Sequence, residues 1–539
     1  SLAGPAIFSF DSNGGTVLGS QYVVPGEKAI VPSIIPQKAG HIFKGWYSDA
    51  TLSSKWDFNT PVTESRTLYA KWVAGIYISF NKNDASASGA MDPVLAEPNT
   101  EVILPGNLFT KPGWYFSGWA TSSGGAVELS NRATLTLGTS SVTLYAVWNP
   151  PGRPDGSFTS GTGTNGTILD TAETSTGKLY IAGCFTTYNG ATAKHIARLN
   201  PDGTLDTTFN FAGAGTNPSY SRVTAIRTVS GGKLLAAVFN YNGSTFTSFL
   251  FRLLDDGSID SSFNTVQFLM TEGGSPYPGI INSMVVDANG KIVVAGDFNS
   301  VIQGTTTNRY RIARFNADGS LDTTFDTATS INTTYERYIY CLAVLSENKI
   351  MAGGAFSSYK GNSSNNLVKI QTNASFDSGF AIEFRAGTSG NNDNVRSIAV
   401  QADGKILVGG VIDYNYISAK TFFRLNSDGT LDSSFINSMA VNSPRPGGGY
   451  YLSSVNTIAI QSDGKIIIGG DFSRFYTTER NDIARINPDG SLDNVFDPGS
   501  GPNGTIGKVL VLSNGKLLVT GSFDSFAGFS CNNIVLIGN

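Results

Sequence analysis

Side chains that commonly perform nucleophilic or acid–base catalysis are scarce in this sequence. His41 and His195 are its two histidines. His41 falls in a predicted turn. His195 aligns with Arg311, Phe422 and Asp482 of an internal repeat described below, at a position that accepts any chemistry. We therefore expect His195 at the surface, and we expect no Ser-His-Asp or Cys-His catalytic arrangement.

Acidic residues are also few on the strands predicted to be innermost in their repeats. Paired carboxylates facing a pocket would indicate a glycosidase. Asp170 and Glu173 are the clearest acids near such a strand, whereas the corresponding segments 395–400, 455–460 and 506–511 contain none. One acidic strand is thin support for catalysis, so we predict that the protein is not an enzyme.

Metal, nucleotide and cofactor sites are not indicated. Cys184, Cys341 and Cys531 share no CxxC spacing, and we expect them to be buried as small apolar residues. Segment 287–290 resembles part of a calcium loop but lacks the remaining ligands. The glycine-rich segment 446–449 lacks the Lys-Ser/Thr of a phosphate loop. The sequence thus predicts no cofactor and no bound metal.

The composition favours a turn-rich β protein. Of 539 residues, 62 are Gly, 11% are aromatic and only 14% are charged, against about 25% charged on average. A net charge of −4 argues against a nucleic-acid partner. No apolar run approaches the roughly 20 residues of a membrane helix, so no direct membrane insertion is expected. The chain begins at Ser1 without a signal-like segment, as a mature chain or an excised fragment would.

Two tandem modules are predicted at the N-terminus, spanning 1–73 and 74–148. Gly45-Trp46 recurs as Gly118-Trp119, and segment 68–72 (LYAKW) recurs as 144–148 (LYAVW). Alternating apolar residues in the second motif indicate strands. We predict that Trp46, Trp72, Trp119 and Trp148 form the cores of these small domains; ligand stacking is the alternative.

These motifs, together with the turn at 10–15 (FDSNGG), resemble the Listeria–Bacteroides repeat, also known from the B repeats of internalin-type surface proteins. The second copy departs from the pattern at 81–84, where NKND replaces the usual turn. The resemblance implies small β-grasp-like modules that are usually strung together in bacterial surface proteins.

A second period, of seven units, fills residues 149–539. A Gly-Lys turn, with one Asn-Lys variant, separates an aliphatic strand from an apolar run, and two further strand-like segments follow. Four short strands are the content of one propeller blade. The turn lysines are Lys178, Lys233, Lys291, Lys349, Lys405, Lys465 and Lys516.

The last unit lacks its fourth strand, and the missing piece lies before the first unit. Segment 149–158 (NPPGRPDGSF) aligns without gaps on 200–209 (NPDGTLDTTF). We therefore predict a seven-bladed propeller in which 149–158 completes the last blade and removes two open sheet edges.

The units resemble the delta-60 repeat family, whose members look like propeller blades. The shared motif, Asp-Gly-x-Leu-Asp-x-x-Phe, is clear in most units, and the fourth departs from it at 373–377 (NASFD). The resemblance implies a surface or secreted protein without a defined chemistry. Each second Asp of the motif follows an Arg of the preceding strand, which predicts ion pairs within a blade. The pairs are Arg198 with Asp206, Arg252 with Asp260, Arg314 with Asp322, Arg424 with Asp432 and Arg485 with Asp493.

Loops between the second and third strands, and between successive units, are long and irregular. They share one face of a propeller, which we call the long-loop face. Function tends to lie on variable loops held by a rigid scaffold, and aromatic side chains there can stack on sugars or anchor a protein. The alternative is that they pack against neighbouring blades. The predicted ligand-binding residues are Tyr188, Tyr241, Phe246, Tyr310, Tyr359, Tyr414, Tyr416, Phe475, Tyr476 and Phe526.

We expect an extracellular or cell-surface adhesin of bacterial type, in which a stalk of small β modules presents a propeller head. Its partner would be a cell-surface glycan or protein. The alternative is a non-catalytic assembly platform in an envelope complex. A polysaccharide-active enzyme ranks third, and it would depend on Asp170 or Glu173.

Overall fold

The computed structural model describes residues 4–538 except 212, 214–219, 242, 273, 328–330, 333–337, 365, 383–393, 415–417, 436–440 and 445–449. In this part of the chain, strands and turns are accompanied by two short 3-10 turns, Ser230–Gly232 and Ser346–Asn348. Contacts divide the chain into two compact units, Ser1–Trp148 and Asn149–Asn539. The predicted all-β class is confirmed.

The first unit contains two four-stranded sheets of matching topology, β2-β1-β4-β3 and β6-β5-β10-β8. In each sheet the first strand of the copy lies parallel to its last strand. The pairs β1–β2, β3–β4 and β5–β6 are antiparallel. The short strands β7 and β9 pair separately. The strands are β1 (Ala6–Asp11), β2 (Gln21–Val23), β3 (His41–Tyr47), β4 (Arg66–Ala74), β5 (Ile76–Asn81), β6 (Val94–Ala96), β7 (Glu101–Ile103), β8 (Tyr115–Ala120), β9 (Thr134–Thr136) and β10 (Val142–Asn149).

Tryptophans fill the cores of both sheets, as predicted. Trp46 is 4% exposed and Trp119 is fully buried, each with a phenylalanine ring 4.9 Å away and edge-on. Trp72 and Trp148 are partly buried against the same cores, and each indole N–H donates a 2.8 Å hydrogen bond to a backbone carbonyl. The rings of Trp46 and Trp119 are therefore closed to a ligand, whereas those of Trp72 and Trp148 remain partly accessible.

The second unit is built from short antiparallel strands. They are β11 (Ile168–Glu173), β12 (Leu179–Gly183), β13 (Thr187–Tyr188), β14 (Ala191–Thr192), β15 (Ile196–Leu199), β16 (Arg222–Val229), β17 (Lys233–Tyr241), β18 (Phe246–Leu253), β19 (Val266–Glu272), β20 (Ser275–Pro278), β21 (Ile280–Val286), β22 (Ile292–Asp297), β23 (Ser300–Gln303), β24 (Thr305–Asn308), β25 (Ile312–Phe315), β26 (Ile331–Asn332), β27 (Tyr338–Val344), β28 (Ile350–Ala355), β29 (Ser358–Tyr359), β30 (Asn362–Ser363), β31 (Leu367–Ile370), β32 (Asn394–Val400), β33 (Ile406–Tyr414), β34 (Ser418–Leu425), β35 (Val441–Pro444), β36 (Tyr450–Leu452), β37 (Ser454–Ile460), β38 (Ile466–Asp471), β39 (Arg474–Phe475), β40 (Thr478–Glu479), β41 (Ile483–Ile486), β42 (Ile506–Val511), β43 (Leu517–Gly521), β44 (Ser525–Phe526), β45 (Phe529–Ser530) and β46 (Ile534–Ile537).

One three-stranded arrangement recurs along the second unit: β11-β12-β15, β16-β17-β18, β21-β22-β25, β27-β28-β31, β32-β33-β34, β37-β38-β41 and β42-β43-β46. The strands β16-β17-β18 belong to a larger, seven-stranded sheet that continues through β19 to β23 and β24. Apolar residues of adjacent sheets pack into shared cores. The predicted fourth strand is shorter than expected, because it joins the third strand through a single bridge, as between Leu199 and Leu205.

The first strands of these sheets (β11, β16, β21, β27, β32, β37 and β42) share two features. Each lies beside the first strand of the next sheet, and β11 contacts both β16 and β42. Each also carries a β-bulge at the same place. A bulge adds one residue and redirects its side chain. The bulge residues are Leu169, Thr224, Asn282, Tyr340, Arg396, Asn456 and Gly507.

His195 is fully buried, which corrects the predicted surface position. Its backbone is left-handed, with φ of 64°, and Arg311 and Asp482 share that conformation at 66° and 61°. The His195 N–H donates to the Phe185 carbonyl, and its own carbonyl accepts from the Gly183 N–H. A shared backbone conformation thus relates His195, Arg311 and Asp482, whereas Phe422, which was aligned with them, lies inside β34 and does not adopt it.

Candidate functional site

The predicted Arg–Asp pairs are present, and each includes a lysine that sequence reasoning did not assign. Asp206 accepts from Arg198 Nε at 2.6 Å and from Lys178 Nζ at 2.7 Å. Asp260 is held in the same way. The hydrogen bond from Lys233 makes the largest contribution to keeping the pKa of Asp260 well below its usual range. These carboxylates are already paired, so they are structural rather than free for catalysis. Equivalent clusters surround Asp322, Asp432 and Asp493.

Asp170 and Glu173, the two acids considered for catalysis, are also engaged. Burial opposes ionisation of Asp170, but Arg227 and Lys508 outweigh it and lower the pKa of this carboxyl. Its Oδ2 lies 2.6 Å from Arg227 and its Oδ1 lies 3.1 Å from Lys508. Glu173 accepts from the N–H and the hydroxyl of Ser513, both at 2.8 Å. A carboxylate held by two cations is a poor proton donor, so the geometry favours structural roles.

Four of the ten predicted ligand-binding aromatics belong to the core instead. Tyr188, Tyr359 and Phe526 are fully buried, and Phe475 is 1% exposed. Each ends the first strand of an equivalent small hairpin, in β13, β29, β44 and β39. The Tyr188 and Tyr359 hydroxyls donate to buried backbone carbonyls at 2.7 Å. The prediction that they contact a ligand is therefore wrong, because a buried ring has no surface that a ligand could touch. For these four residues the alternative, packing within the fold, is correct.

The other six are placed differently. Tyr241, Phe246, Tyr310 and Tyr476 reach the surface, Phe246 being 42% and Tyr476 37% exposed. The backbone N–H of Tyr310 donates a hydrogen bond to the Thr327 carbonyl. The Tyr414 side chain and all of Tyr416 lie outside the described residues.

An exposed aromatic cluster brings two of these residues together with two that the sequence analysis did not predict. We define it as Tyr220, Phe239, Tyr241 and Phe246. The Tyr241 ring lies 4.5 Å from Phe246 and 5.3 Å from Tyr220, while Phe239 lies 5.8 Å from Phe246. Tyr220 is 51% exposed. Its position between two successive units was a usable signal, because loops of that kind were predicted to lie on the long-loop face.

The local fold explains why the cluster forms here. In the second sheet, β17 and β18 make one continuous hairpin from Leu234↔Leu253 to Tyr241↔Phe246. Several other sheets break at this point into the small hairpins that bury Tyr188 and its equivalents. The continuous hairpin extends its end pair, Tyr241 and Phe246, into solvent.

Arg222 extends the aromatic cluster toward the first strands. It starts β16, pairs across to Phe239, and holds its guanidinium 4.6 Å from the centre of that ring. A cation beside exposed aromatic rings gives the surface both a stacking face and a polar donor. Such a combination suits a sugar or an anchoring side chain of a protein.

Three further properties bear on the candidate chemistry. Among the described residues, no group of three or more His, Cys, Asp or Glu is placed to hold a metal ion. No helix within the described ranges has the length and apolar character needed to cross a membrane. Cys341 and Cys531 are buried as predicted, whereas Cys184 is only partly buried. Burial raises the pKa of the Cys531 thiol to about 11.

Two family models match the chain. The Listeria-Bacteroides repeat domain matches residues 7–71 and 77–147. A β-propeller domain of unknown function, DUF5122, matches 174–209, 288–325, 345–380, 401–435, 461–496 and 512–537.

Curated relatives match about a quarter of the chain. A putative Gly-rich membrane protein of Evansella cellulosilytica is 37% identical over 142 residues, 26% of this chain and 16% of the relative. A putative membrane protein of the same organism is 33% identical over 144 residues, 26% of this chain and 22% of the relative. Internalin H of Listeria monocytogenes is 28% identical over 155 residues, 28% of this chain and 26% of the relative. The chain thus spans about a quarter or less of these relatives' own length.

Solved structures give only distant likenesses. PorZ, a bacterial surface component of the type-IX secretion system of Porphyromonas gingivalis, has a TM-score of 0.28 and 11% identity, covering 98% of this chain and 63% of its own. A PQQ-bound aldose sugar dehydrogenase from Streptomyces coelicolor has a TM-score of 0.31 and 12% identity, covering 70% and 96%. At these TM-scores neither carries an argument about function. The two family models, with the recurring sheets, place the chain as two Listeria-Bacteroides repeats followed by a β-propeller region of the DUF5122 family.

Proposed function

We propose that this is a bacterial surface protein that binds a glycan or protein ligand through the long-loop face of a seven-bladed propeller. Two small β modules, 1–73 and 74–148, precede the propeller at 149–539. The surface assignment is supported by the Listeria-Bacteroides repeats and by relatives described as internalin H and membrane proteins.

Ring closure is supported by the contacts of segment 149–158. Pro154 forms an antiparallel bridge with Ile537, and the Asp155 N–H donates to the Leu536 carbonyl at 2.8 Å. In the first repeat the Asp206 N–H donates to the Arg198 carbonyl at the same distance. The segment therefore makes the contact that a fourth strand makes elsewhere.

Contacts between successive sheets support the same conclusion. Where one repeat ends, a backbone N–H donates to the turn that precedes the fourth strand of the next repeat, as from Asn210 to Asp256 and from Asn264 to Asp318. The Asp497 N–H donates to Pro151 in this way at 2.9 Å, and Thr159 donates to Asp202 at 2.7 Å. Segment 149–158, with the adjoining Thr159, is thus bonded to the end of the sixth repeat on one side and to the first repeat on the other.

The aromatic cluster is the observation that carries ligand binding. Exposed aromatic rings close together are costly to hydrate, and they recur at binding surfaces for this reason. Tyr220 and Phe246 come from different loops, yet their rings lie 6.0 Å apart. A ligand that covers both would gain aromatic contact area without requiring the scaffold to move.

The test is binding of the full chain to a glycan array and to bacterial and host cells. The variant Tyr220→Ala/Phe246→Ala should lose binding at least tenfold while the thermal unfolding temperature stays within a few degrees. Tyr277→Ala is the matched control, because Tyr277 is 41% exposed but lies outside the cluster. Equal binding by both variants would contradict the proposed site. Capture of envelope proteins, with no glycan or cell binding, would favour an assembly role instead.

A further inference from the structure

The first strands carry a charge opposite to that of the whole protein. The segments β11, β16, β32 and β42 contain four basic residues, Arg222, Arg227, Arg396 and Lys508, against the acids Asp170 and Glu173. The other three first strands contain no charged residue. These strands therefore sum to +2 in a chain whose net charge is −4. If the ring closes as proposed, the first strands line its axial channel, and the channel is electropositive.

Arg396 and Arg222 are the two of these cations that pair with no acid within the described residues, and the Arg222 guanidinium is already held against the Phe239 ring. Lys508 and Arg227 share Asp170. Arg396 instead donates from Nε to the Asn394 side-chain oxygen at 2.9 Å and from Nη1 to the Asn456 side-chain oxygen at 3.0 Å. Neutral amides orient a guanidinium without cancelling its charge.

The bulge exposes the side chain of Arg396. It is the bulge residue of β32, and it is exposed although both preceding residues of the strand are buried. Asn456 is the bulge residue of β37, and its amide donates to the Ile506 carbonyl of β42 at 3.0 Å. Asn282 makes the same kind of link from β21 to Ile339. Bulge side chains thus link β32 to β37 and β42, and Arg396 rests on an acceptor that is itself held in place.

The available donors of Arg396 match a planar anion. Its Nε and one Nη1 proton are used, which leaves the outer edge of the guanidinium, with Nη2, unpaired within the described part of the chain. Two N–H groups on that edge fit a carboxylate in the bidentate manner. A lysine at this position would supply the positive charge, but it could not offer two parallel N–H donors to the carboxylate.

We propose that Arg396, held by Asn394 and Asn456, is an anion subsite on the channel wall for the carboxylate of an acidic saccharide. The proposal rests on the closed ring proposed above, but it is independent of the aromatic cluster. One exposed carboxylate–guanidinium contact gives weak, salt-sensitive binding, so millimolar affinity at low ionic strength is expected.

The test uses the full chain with galacturonate as probe and galactose as its neutral match. In arginine-labelled protein, the Nε–H resonance of Arg396 should shift on addition of about 10 mM galacturonate. It should not shift with galactose, and added salt should reverse the effect. Arg396→Lys identifies the resonance by removing it and should weaken galacturonate binding at least fivefold. Arg474→Lys is the control, because Arg474 is exposed and paired with Glu479.

Modification by phenylglyoxal, mapped by mass spectrometry, gives a second readout that needs no variant. Galacturonate should protect the peptide containing Arg396, and galactose should not. An Arg396 resonance that does not move, an equal response to both sugars, or no protection would overturn the proposal. A purely structural Arg396 would lower stability on substitution but would show none of these ligand effects. The two proposals can fail separately. If the aromatic-cluster variants do not affect glycan binding, the galacturonate result at Arg396 still stands, because it is measured with a single sugar.

Discussion

The carboxylate of Asp155 lies 2.6 Å from the ammonium of Lys516, although the two residues come from opposite ends of the second unit. Asp155 is the counterpart of Asp206, and Lys516 is the counterpart of Lys178. The arginine of the other clusters is absent here, because Leu536 occupies its position. The junction between the two chain ends thus depends on a single cation where other sheets use two.

Lys516→Met should therefore destabilise the second unit more than Lys178→Met does. Asp155 is buried and would lose its ion-pair partner, whereas Asp206 would keep Arg198 at 2.6 Å. We expect a loss of about 1–3 kcal/mol for Lys516→Met and less than half of that for Lys178→Met. Calorimetric unfolding of the full chain measures both. Equal losses would show that the missing arginine is unimportant.

All six tryptophans lie in the first unit, which supplies an internal control for these measurements. Tryptophan fluorescence follows unfolding of residues 1–148 and should be unchanged by substitutions in the second unit. If a substitution in the second unit shifts the unfolding transition seen by tryptophan fluorescence, its effect is not confined to the sheet that carries it.

Asp482→Asn should stabilise the protein at alkaline pH. Burial raises the pKa of Asp482 to about 7, with repulsion from Asp471 adding to the effect and the bond from the Phe472 N–H opposing it. The folded state then holds the proton more tightly than the unfolded state. The free energy of unfolding consequently falls as the pH rises from about 4 to 7. Asn366 already makes the equivalent bond, to the Phe356 N–H at 2.9 Å, so asparagine fits the site.

The expected gain for Asp482→Asn is about 1–3 kcal/mol at pH 8 and close to zero at pH 4. Denaturant unfolding at the two pH values measures the difference. Asp471→Asn is the control and should have a smaller effect, because it removes only the repulsion. A gain of the same size at both pH values would contradict the titration as its cause.

Asp170→Asn should destabilise the protein, and the loss should depend on pH in the opposite sense. Arg227 and Lys508 lower the pKa of Asp170 despite its burial. The ionised carboxylate therefore contributes stability at neutral pH. This contribution declines as the pH falls below the unfolded pKa of about 4 and is lost only below the lower pKa of the folded state. The unfolding temperatures of variant and parent should differ most at neutral pH, and the difference should shrink as the pH is lowered below about 4. A difference that stays the same at all acidic pH values would point to altered packing instead.

Tyr188 should behave as a core residue and not as a ligand contact. Tyr188→Ala would leave a large cavity and is expected to cost about 3–5 kcal/mol. Tyr188→Phe removes only the hydrogen bond to the Gly203 carbonyl and should cost about 1 kcal/mol. Phe475 and Phe526 occupy the equivalent position without a hydroxyl. Loss of glycan or cell binding in Tyr188→Phe, at unchanged stability, would restore the ligand-binding interpretation of this residue.

Local sequence determined much of this protein. Asp-Gly and Asn-Gly turns, alternating apolar strands and the recurring Arg–Asp spacing depend on neighbours in the chain, so they are visible without a structure. The gapless alignment of 149–158 with 200–209 identifies Asp155 as the counterpart of Asp206. A repeat that is split between the two chain ends still keeps the residue spacing of the other repeats.

The tertiary structure decided which side chains on the long-loop face are exposed. Tyr188 and Tyr241 are both loop aromatics in the sequence, yet one is buried beneath a short hairpin and the other ends a continuous one. His195 is buried, whereas Asp482 has the same left-handed backbone and is only partly buried, so the aligned sequence alone did not predict the burial of His195. The orientation of Arg396 depends on a bulge and on an asparagine from the next sheet. These properties arise from contacts between distant segments, and for this reason only the folded chain reveals them.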